Sequence, residues 1–126
     1  MTDQELMRMI FNKVKDHLLS QRKRSSKLGY DGYSINCMYR GPNGLKCSIG
    51  CLIKDEYFNL RYNTCSVHDE EVIHMLAPSL GVEERQIVSI LGFLNELQKV
   101  HDIREVDNWE IGLDLVEREY LTDEEV

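Results

Sequence analysis

The sequence contains no long hydrophobic run, no internal repeat, no low-complexity tract and no linker. A membrane-spanning helix needs ~18 or more apolar residues in succession, and no segment approaches that length. The N-terminus, MTDQELMRMI, is polar and acidic from its second residue, which argues against a secretory signal. We therefore expect a single domain, residues 1–126, that stays in a cytoplasm. Its acidic tail, residues 121–126, is expected to fray.

The sequence also lacks the P-loop and GxGxxG patterns of common nucleotide-binding folds. What it has is enough apolar material for one self-sufficient core, since 42% of the residues are hydrophobic and 29% are charged. These fractions argue against a chain that is disordered throughout. They predict a folded domain and say nothing about its chemistry.

Apolar residues recur at helical spacing in four segments. The first, residues 2–24, opens on a capping box formed by Thr2 and Glu5. The second follows Ser66 and Asp69, which match the same capping pattern. Both signals predict where a helix begins.

The third segment, residues 82–101, has the most regular apolar stripe and is predicted as one continuous helix. The fourth carries Trp109 and is predicted to open on a capping box of Asp107 and Glu110.

A small β-hairpin is expected between the first and second helices. Its arms would be residues 35–40 and 45–53, joined by the turn 41–44, where proline and glycine stand at positions that a type I turn favours. Residues 45–53 could instead be a short strand that runs into the start of a helix. The predicted fold class is therefore mainly α (α+β), with about four helices and one hairpin.

Residues 36–53, NCMYRGPNGLKCSIGCLI, are the densest in residues with a chemical use. A metal site would draw on the four cysteines, which are Cys37, Cys47, Cys51 and Cys65. Structural zinc sites usually show two tight cysteine pairs, and here only Cys47 and Cys51 are close in sequence. On a strand those two would lie ~13 Å apart. On a helix they would be neighbours, but Gly50 argues against a helix there. We therefore expect cysteines packed as small apolar residues, with no metal and no cofactor.

A nucleophilic cysteine is a second interpretation. Lys46 stands beside Cys47, and Arg40 lies across the turn, so both cations would lower the pKa of a thiol between them. The base would be His68, His74 or His101. A buried, inert thiol is the favoured alternative.

An anionic-ligand site is the leading interpretation. Two basic side chains flank a glycine-rich turn, and arginine suits bidentate contacts to phosphate. The candidate binding residues are Tyr39, Arg40, Gly41, Gly44 and Lys46, bordered by His101 and Trp109, with Tyr30 and Tyr33 as further stacking surfaces. For the pair His101-Asp102 a structural role, tying the last helix to its predecessor, is preferred.

Charge is divided unevenly along the chain. Residues 1–46 carry nine basic and four acidic side chains, a net of +5, so the other eighty residues carry −12 of the total of −7. Direct nucleic-acid binding is not expected, because the basic cluster 21–24 is short. An acidic surface that mimics a nucleic acid is the alternative, and its residues would be Glu117, Glu119, Asp123, Glu124 and Glu125.

Four strings resemble a group of small proteins of unknown function encoded by bacteriophages and prophage regions. The strings are Cys37-x-Tyr39-Arg40, the run from Gly44 to Ile53, Leu97-Gln-x-x-His101-Asp102, and Trp109-Glu110. The run differs from the group's usual pattern in having Ser48 where alanine is more usual. The resemblance extends over about residues 5–120 and implies a phage-borne accessory protein in a host cytoplasm. Such proteins often blunt host defences, by binding a host protein or by sequestering a nucleotide signal.

The leading hypothesis is therefore a non-enzymatic binding module for a nucleotide-like ligand. The alternatives are a protein–protein inhibitor with an acidic decoy surface, and a thiol or zinc enzyme.

Overall fold

The computed structural model describes residues 1–28, 35–64 and 66–121. Within them are five α-helices and a two-stranded antiparallel sheet. In chain order the elements are α1 (Asp3–Gln21), β1 (Ser26–Leu28), β2 (Ile35–Cys37), α2 (Glu70–Leu80), α3 (Glu84–Ser89), α4 (Leu91–Ile103) and α5 (Trp109–Tyr120). The predicted mainly α fold is confirmed.

Helix α1 begins at the predicted capping box. The Thr2 hydroxyl accepts a hydrogen bond from the Glu5 amide at 3.1 Å, and the Glu5 carboxylate accepts one from the Thr2 amide at 3.3 Å. The helix ends at Gln21, earlier than predicted, because Arg22 takes a left-handed conformation with φ 52°. Its buried face carries Leu6, Ile10, Phe11, Val14 and Leu18.

The strands lie between α1 and α2, and β2 lies within the first predicted arm, residues 35–40. The prediction of the second arm was wrong. Strand β1 pairs with β2, so that Lys27 lies opposite Asn36. The segment 45–53 is not a strand, and contains the 3₁₀ turn Gly50–Leu52. Residue Gly50 explains this, because its backbone lies against that of Tyr39 so closely that an added Cβ would stand 2.2 Å from the Tyr39 carbonyl oxygen.

The helix predicted over residues 82–101 is broken at Ile90, whose φ of −114° and ψ of 18° end α3 and precede α4. The two helices also have different neighbours, since α3 contacts α2, while α4 packs against α5 and α1.

Two of the predicted capping boxes differ in the structure. Helix α2 begins after Asp69, which caps the Glu71 amide, while the Ser66 hydroxyl accepts from the His68 amide instead. Helix α5 follows the 3₁₀ turn Val106–Asn108, and no side chain caps its first turn. The prediction for Asp107 and Glu110 was therefore wrong.

The core lies where α1, α2, α4 and α5 meet the segment 47–53. Its largest fully buried side chains include Trp109, Phe11 and Phe93. Across the described residues, no helix has both the length and the apolar character needed to cross a membrane. The predicted tail, residues 122–126 in particular, lies outside the described part.

Candidate functional site

A cleft of about 270 Å³ opens between the end of β2, residues 63, 64, 66 and 67, and one face of α4. Its lining consists of Cys37, Tyr39, Cys47, Asn63, Thr64, Ser66, Val67, Asn95, Gln98 and Asp102. We call it the Asp102 cleft. It contains two of the predicted cysteines and one of the predicted binding residues, Tyr39.

Helix α4 supplies the polar wall of this cleft. Gln98 and Asp102 follow Asn95 by three and seven positions, so the three residues share one face of the helix. The buried stripe of the same helix includes Leu94, Leu97 and His101. The sequence interpretation used the apolar stripe and missed the polar row beside it, although the same spacing rule identifies both.

The carboxylate of Asp102 is held in place by neighbouring donors. Its Oδ1 atom lies 2.7 Å from His101 Nδ1 and 2.7 Å from Gln98 Nε2. The thiol of Cys37 also hydrogen-bonds to this carboxylate. The Gln98 amide is fixed in turn, because its oxygen accepts from the Ile49 amide at 3.1 Å. The Asp102 side chain nevertheless stays 32% exposed, so it can meet a ligand.

The tautomer of His101 follows from its neighbours. The Ser25 amide donates to Nε2 at 2.9 Å, so Nε2 carries no proton. The proton of a neutral ring must then be on Nδ1, where it is donated to Asp102. The ring is fully buried and stacks on Trp109 at 5.5 Å between centroids. His101 therefore supports Asp102 from inside the core, and Trp109 packs against the His101 ring.

A metal ion is the first chemical use to test against this geometry. The donor atoms of Cys37, His101 and Asp102 lie within 4.8 Å of one another, the one such group among the described residues. A metal on Nδ1 would require the ring proton to move to Nε2, where the Ser25 amide already points. The tautomer therefore opposes a metal ion here. Of the cysteines first considered as ligands, Cys65 lies outside the described residues.

The thiols are poor nucleophiles at neutral pH. Burial raises the pKa of Cys37 to about 12, and the charge of Asp102 adds to the rise. Burial likewise raises the pKa of Cys47 to about 12. For Cys51, burial raises the pKa to about 12 although Lys46, Lys13 and Arg40 pull it down. Desolvation of the thiolate is the larger effect in each case.

Arg40 is used inside the protein. Its guanidinium group donates to the carbonyl oxygens of Gly50 at 2.6 Å and Ile53 at 2.7 Å, and forms an ion pair with Asp55 at 2.9 Å. It also lies 4.6 Å from the centre of the Phe58 ring. Four internal contacts leave this side chain 17% exposed. Through these contacts Arg40 stabilises the turn at 50–53.

The glycine turn is positioned by Ser25. The Ser25 hydroxyl donates to the Met38 carbonyl at 2.7 Å, and a Cβ on Gly41 would stand 2.4 Å from that hydroxyl oxygen. The Gly41 amide donates to the Leu45 carbonyl at 2.7 Å and so is already used. Gly44 has φ 78° and open space around it.

Lys46 faces a second concavity of about 420 Å³, which we call the lysine groove. Helix α1 holds the Lys46 backbone in place, because Gln21 accepts from its amide at 2.9 Å and donates to its carbonyl at 2.8 Å. The groove also contains Lys13 and Lys54. Within the part of the chain that the structure describes, none of the three ammonium groups has an ion pair or a hydrogen bond.

The predicted binding residues thus separate into several places. Tyr39 lines the Asp102 cleft, Lys46 lines the lysine groove, and Arg40 binds the backbone of the turn at 50–53. Tyr30 and Tyr33 lie outside the described residues.

No family model, no curated protein and no solved structure matches the chain. The resemblance to phage proteins therefore stays a prediction.

Proposed function

We propose that the protein is a small, non-enzymatic binding module whose ligand occupies the Asp102 cleft and presents N–H donors to Asp102. The observation that carries this proposal is the Asp102 carboxylate, which three internal donors orient while about a third of it stays exposed in the cleft. A pre-oriented, partly exposed carboxylate is a recognition group for a donor, because it needs no reorganisation when the ligand arrives.

The charge of the cleft selects the ligand class. An ionised carboxylate accepts about four hydrogen bonds, and Oδ1 already receives two. The lining contains neither lysine nor arginine, so a phosphate would meet a negative charge there. Asn95 and Thr64 add polar groups that have no hydrogen-bond partner among the described side chains and backbone.

The size of the cleft limits the ligand further. Pockets for drug-sized ligands measure about 300–1,000 Å³, and this one has about 270 Å³. It therefore fits a single nucleobase or a small guanidinium compound. Guanine is the sharpest probe, because its N1–H and N2–H groups lie side by side and can both reach Oδ2 of Asp102, the oxygen that His101 and Gln98 leave open.

Binding is favoured over thiol catalysis by the state of the neighbouring groups. The thiols of Cys37 and Cys47 have pKa values of about 12, so they are protonated at neutral pH. The two ring nitrogens of His101 are both engaged. A cysteine nucleophile needs a thiolate or a free base close to it.

Isothermal titration calorimetry with guanosine, inosine and agmatine tests this proposal. Inosine lacks the N2 amine, so we expect it to bind more weakly than guanosine, and Asp102→Asn should abolish guanosine binding. The matched control is Asp114→Asn, on the exposed side of α5. Asn95→Ala weakens binding without removing an internal hydrogen bond. If neither guanosine nor agmatine binds the unmodified protein, the proposal is wrong.

The lysine groove supports a second candidate, the predicted site for a phosphate-bearing ligand. The observation in its favour is that three lysines line one groove of a chain with net charge −7 and outnumber the two carboxylates of that lining, Asp55 and Glu56. Lys46→Ala should lower the affinity for pyrophosphate, and Lys99→Ala serves as a surface control. Affinity that does not fall as salt rises would contradict this candidate.

The acidic decoy stays an alternative with less support. Its residue Glu117 pairs with Arg8 at 2.7 Å, whereas Glu119 is exposed. Its last three residues, Asp123, Glu124 and Glu125, lie outside the described part. A host-protein complex that persists in high salt would contradict it. A phage origin and a role in counter-defence remain predictions from the resemblance.

A further inference from the structure

An exposed apolar surface lies on helices α4 and α5, on a different part of the molecule from the Asp102 cleft. A groove of about 470 Å³ runs between them, and Val100, Gly112 and Val116 contribute to its lining together with Ile103 and Leu115. The side chain of Ile103 is 70% exposed, and that of Leu115 is 47% exposed.

A neighbouring side chain extends this surface. Ile111 is 56% exposed and stands four positions before Leu115, so the two share a face of α5. Large apolar side chains are exposed at seven described positions, and three of them are gathered here. An exposed apolar cluster with charged residues around it marks an interaction surface.

The charged residues of the groove are divided between its two ends. The helices run antiparallel, since a Cβ on Gly92 would meet the Tyr120 hydroxyl, whereas one on Gly112 would meet the Arg104 side chain. Glu96 and Glu119 therefore lie towards one end, and Arg104 lies at the other. Lys99 pairs with Glu96 at 3.4 Å. Within the described residues, neither Glu119 nor Arg104 has an ion-pair partner.

We propose that this groove joins two copies of the chain in a symmetric dimer. A two-fold interface brings the same surface of each subunit together. When the helix pairs cross in antiparallel orientation, the acidic end of one copy meets the basic end of the other. Glu119 of each copy then faces Arg104 of the other, and the apolar side chains of both cover one another.

The expected dimer is weak. Helix α4 has 13 residues and is therefore ~20 Å long. A face two helices wide and of that length is at the small end of specific interfaces, which bury ~800 Å² per partner. We therefore expect a monomer–dimer equilibrium that depends on concentration.

Sedimentation velocity over a range of concentrations measures this equilibrium. Leu115→Glu should abolish the dimer, because it places a charge in the apolar centre of the interface. Val88→Glu is the matched control, since Val88 is 53% exposed on α3 and away from the groove. Circular dichroism checks that each variant is folded.

Charge reversal tests the orientation. Glu119→Arg alone and Arg104→Glu alone should each raise the dimer dissociation constant at least about tenfold, through like-charge contacts. An equimolar mixture of these two variants should form a heterodimer, because every reversed contact is then complementary. The proposal is overturned by a protein that stays monomeric at all concentrations, by a dimer that survives Leu115→Glu, or by a mixture that fails to associate.

Discussion

At the scale of single residues, the structure assigns Arg40 a different use from the one its sequence context suggests. The arginine stands beside a glycine-rich turn, which is a pattern typical of phosphate contacts, but its guanidinium group contacts the carbonyl oxygens of Gly50 and Ile53. A sequence shows that a cation is present and does not show which carbonyl groups of the folded backbone it reaches.

We expect Arg40→Ala to lower the free energy of unfolding by about 2–4 kcal/mol, because it leaves two carbonyl groups without their charged donor and Asp55 without its partner. Urea denaturation measures the change. Arg85→Ala is the control, since Arg85 is 88% exposed and should change stability by less than about 0.5 kcal/mol. A loss of unfolding free energy for Arg40→Ala as small as that of the control would contradict this stabilising role of Arg40.

The thiols give a pH-dependent prediction. The pKa values of Cys37, Cys47 and Cys51 are about 12 in the folded protein, against 9.0 for an ordinary thiol. The unfolded chain therefore loses these protons first as pH rises. Their contribution to stability is fully present below pH 9 and is lost as pH rises towards 12.

Two measurements check this behaviour in a Cys65→Ser background. Urea midpoints should fall as pH is raised above 9, and a thiol reagent at neutral pH should react with the unfolded chain much faster than with the folded one. A described thiol that reacts in the folded protein as fast as in urea would show that the pKa is not raised.

At the scale of elements, Gly50 explains why the predicted hairpin arm is absent. A Cβ there would stand 2.2 Å from the Tyr39 carbonyl oxygen, whereas a Cβ on Gly92 would stand 3.6 Å from the Tyr120 hydroxyl. We expect Gly50→Ala to cost about 3 kcal/mol or more. Gly92→Ala should leave stability unchanged or raise it by up to ~1 kcal/mol. Thermal unfolding of the two variants compares them directly, and equal effects on stability would contradict the close approach of Gly50 to Tyr39.

Local signals predicted the elements better than their boundaries. Helical periodicity and the Thr2–Glu5 capping box identified α1 because both depend on neighbours within four residues. The break at Ile90 was missed, since the apolar stripe continues through it, although α3 contacts α2 and α4 packs against α5. Strands of three residues carry too short a pattern to predict which segment pairs with which.

The candidate site was predicted only in part. The pair His101-Asp102 was recognised in the sequence, and the preferred structural role agrees with the buried ring of His101. What the sequence could not reveal is that Cys37, 65 positions before Asp102, would lie beside it. That contact depends on how β2 packs against α4, which no local pattern encodes.

At the scale of the whole molecule, the charged residues form separate surface patches. The division of the sequence into a basic and an acidic half predicts their signs and not their positions. The basic half contributes the lysine groove, through Lys13 and Lys46. The acidic half contributes Asp102 and the Glu119 end of the α4–α5 groove. These three surfaces differ in charge, and we therefore expect each to favour a different class of partner.

The central claim is that Asp102 recognises N–H donors in its cleft. Calorimetric titration of guanosine into the unmodified protein and into Asp102→Asn tests it most directly, with Asp114→Asn titrated alongside. We predict saturable binding to the unmodified protein and to Asp114→Asn, and none to a folded Asp102→Asn. Binding that is unchanged in Asp102→Asn would contradict the claim.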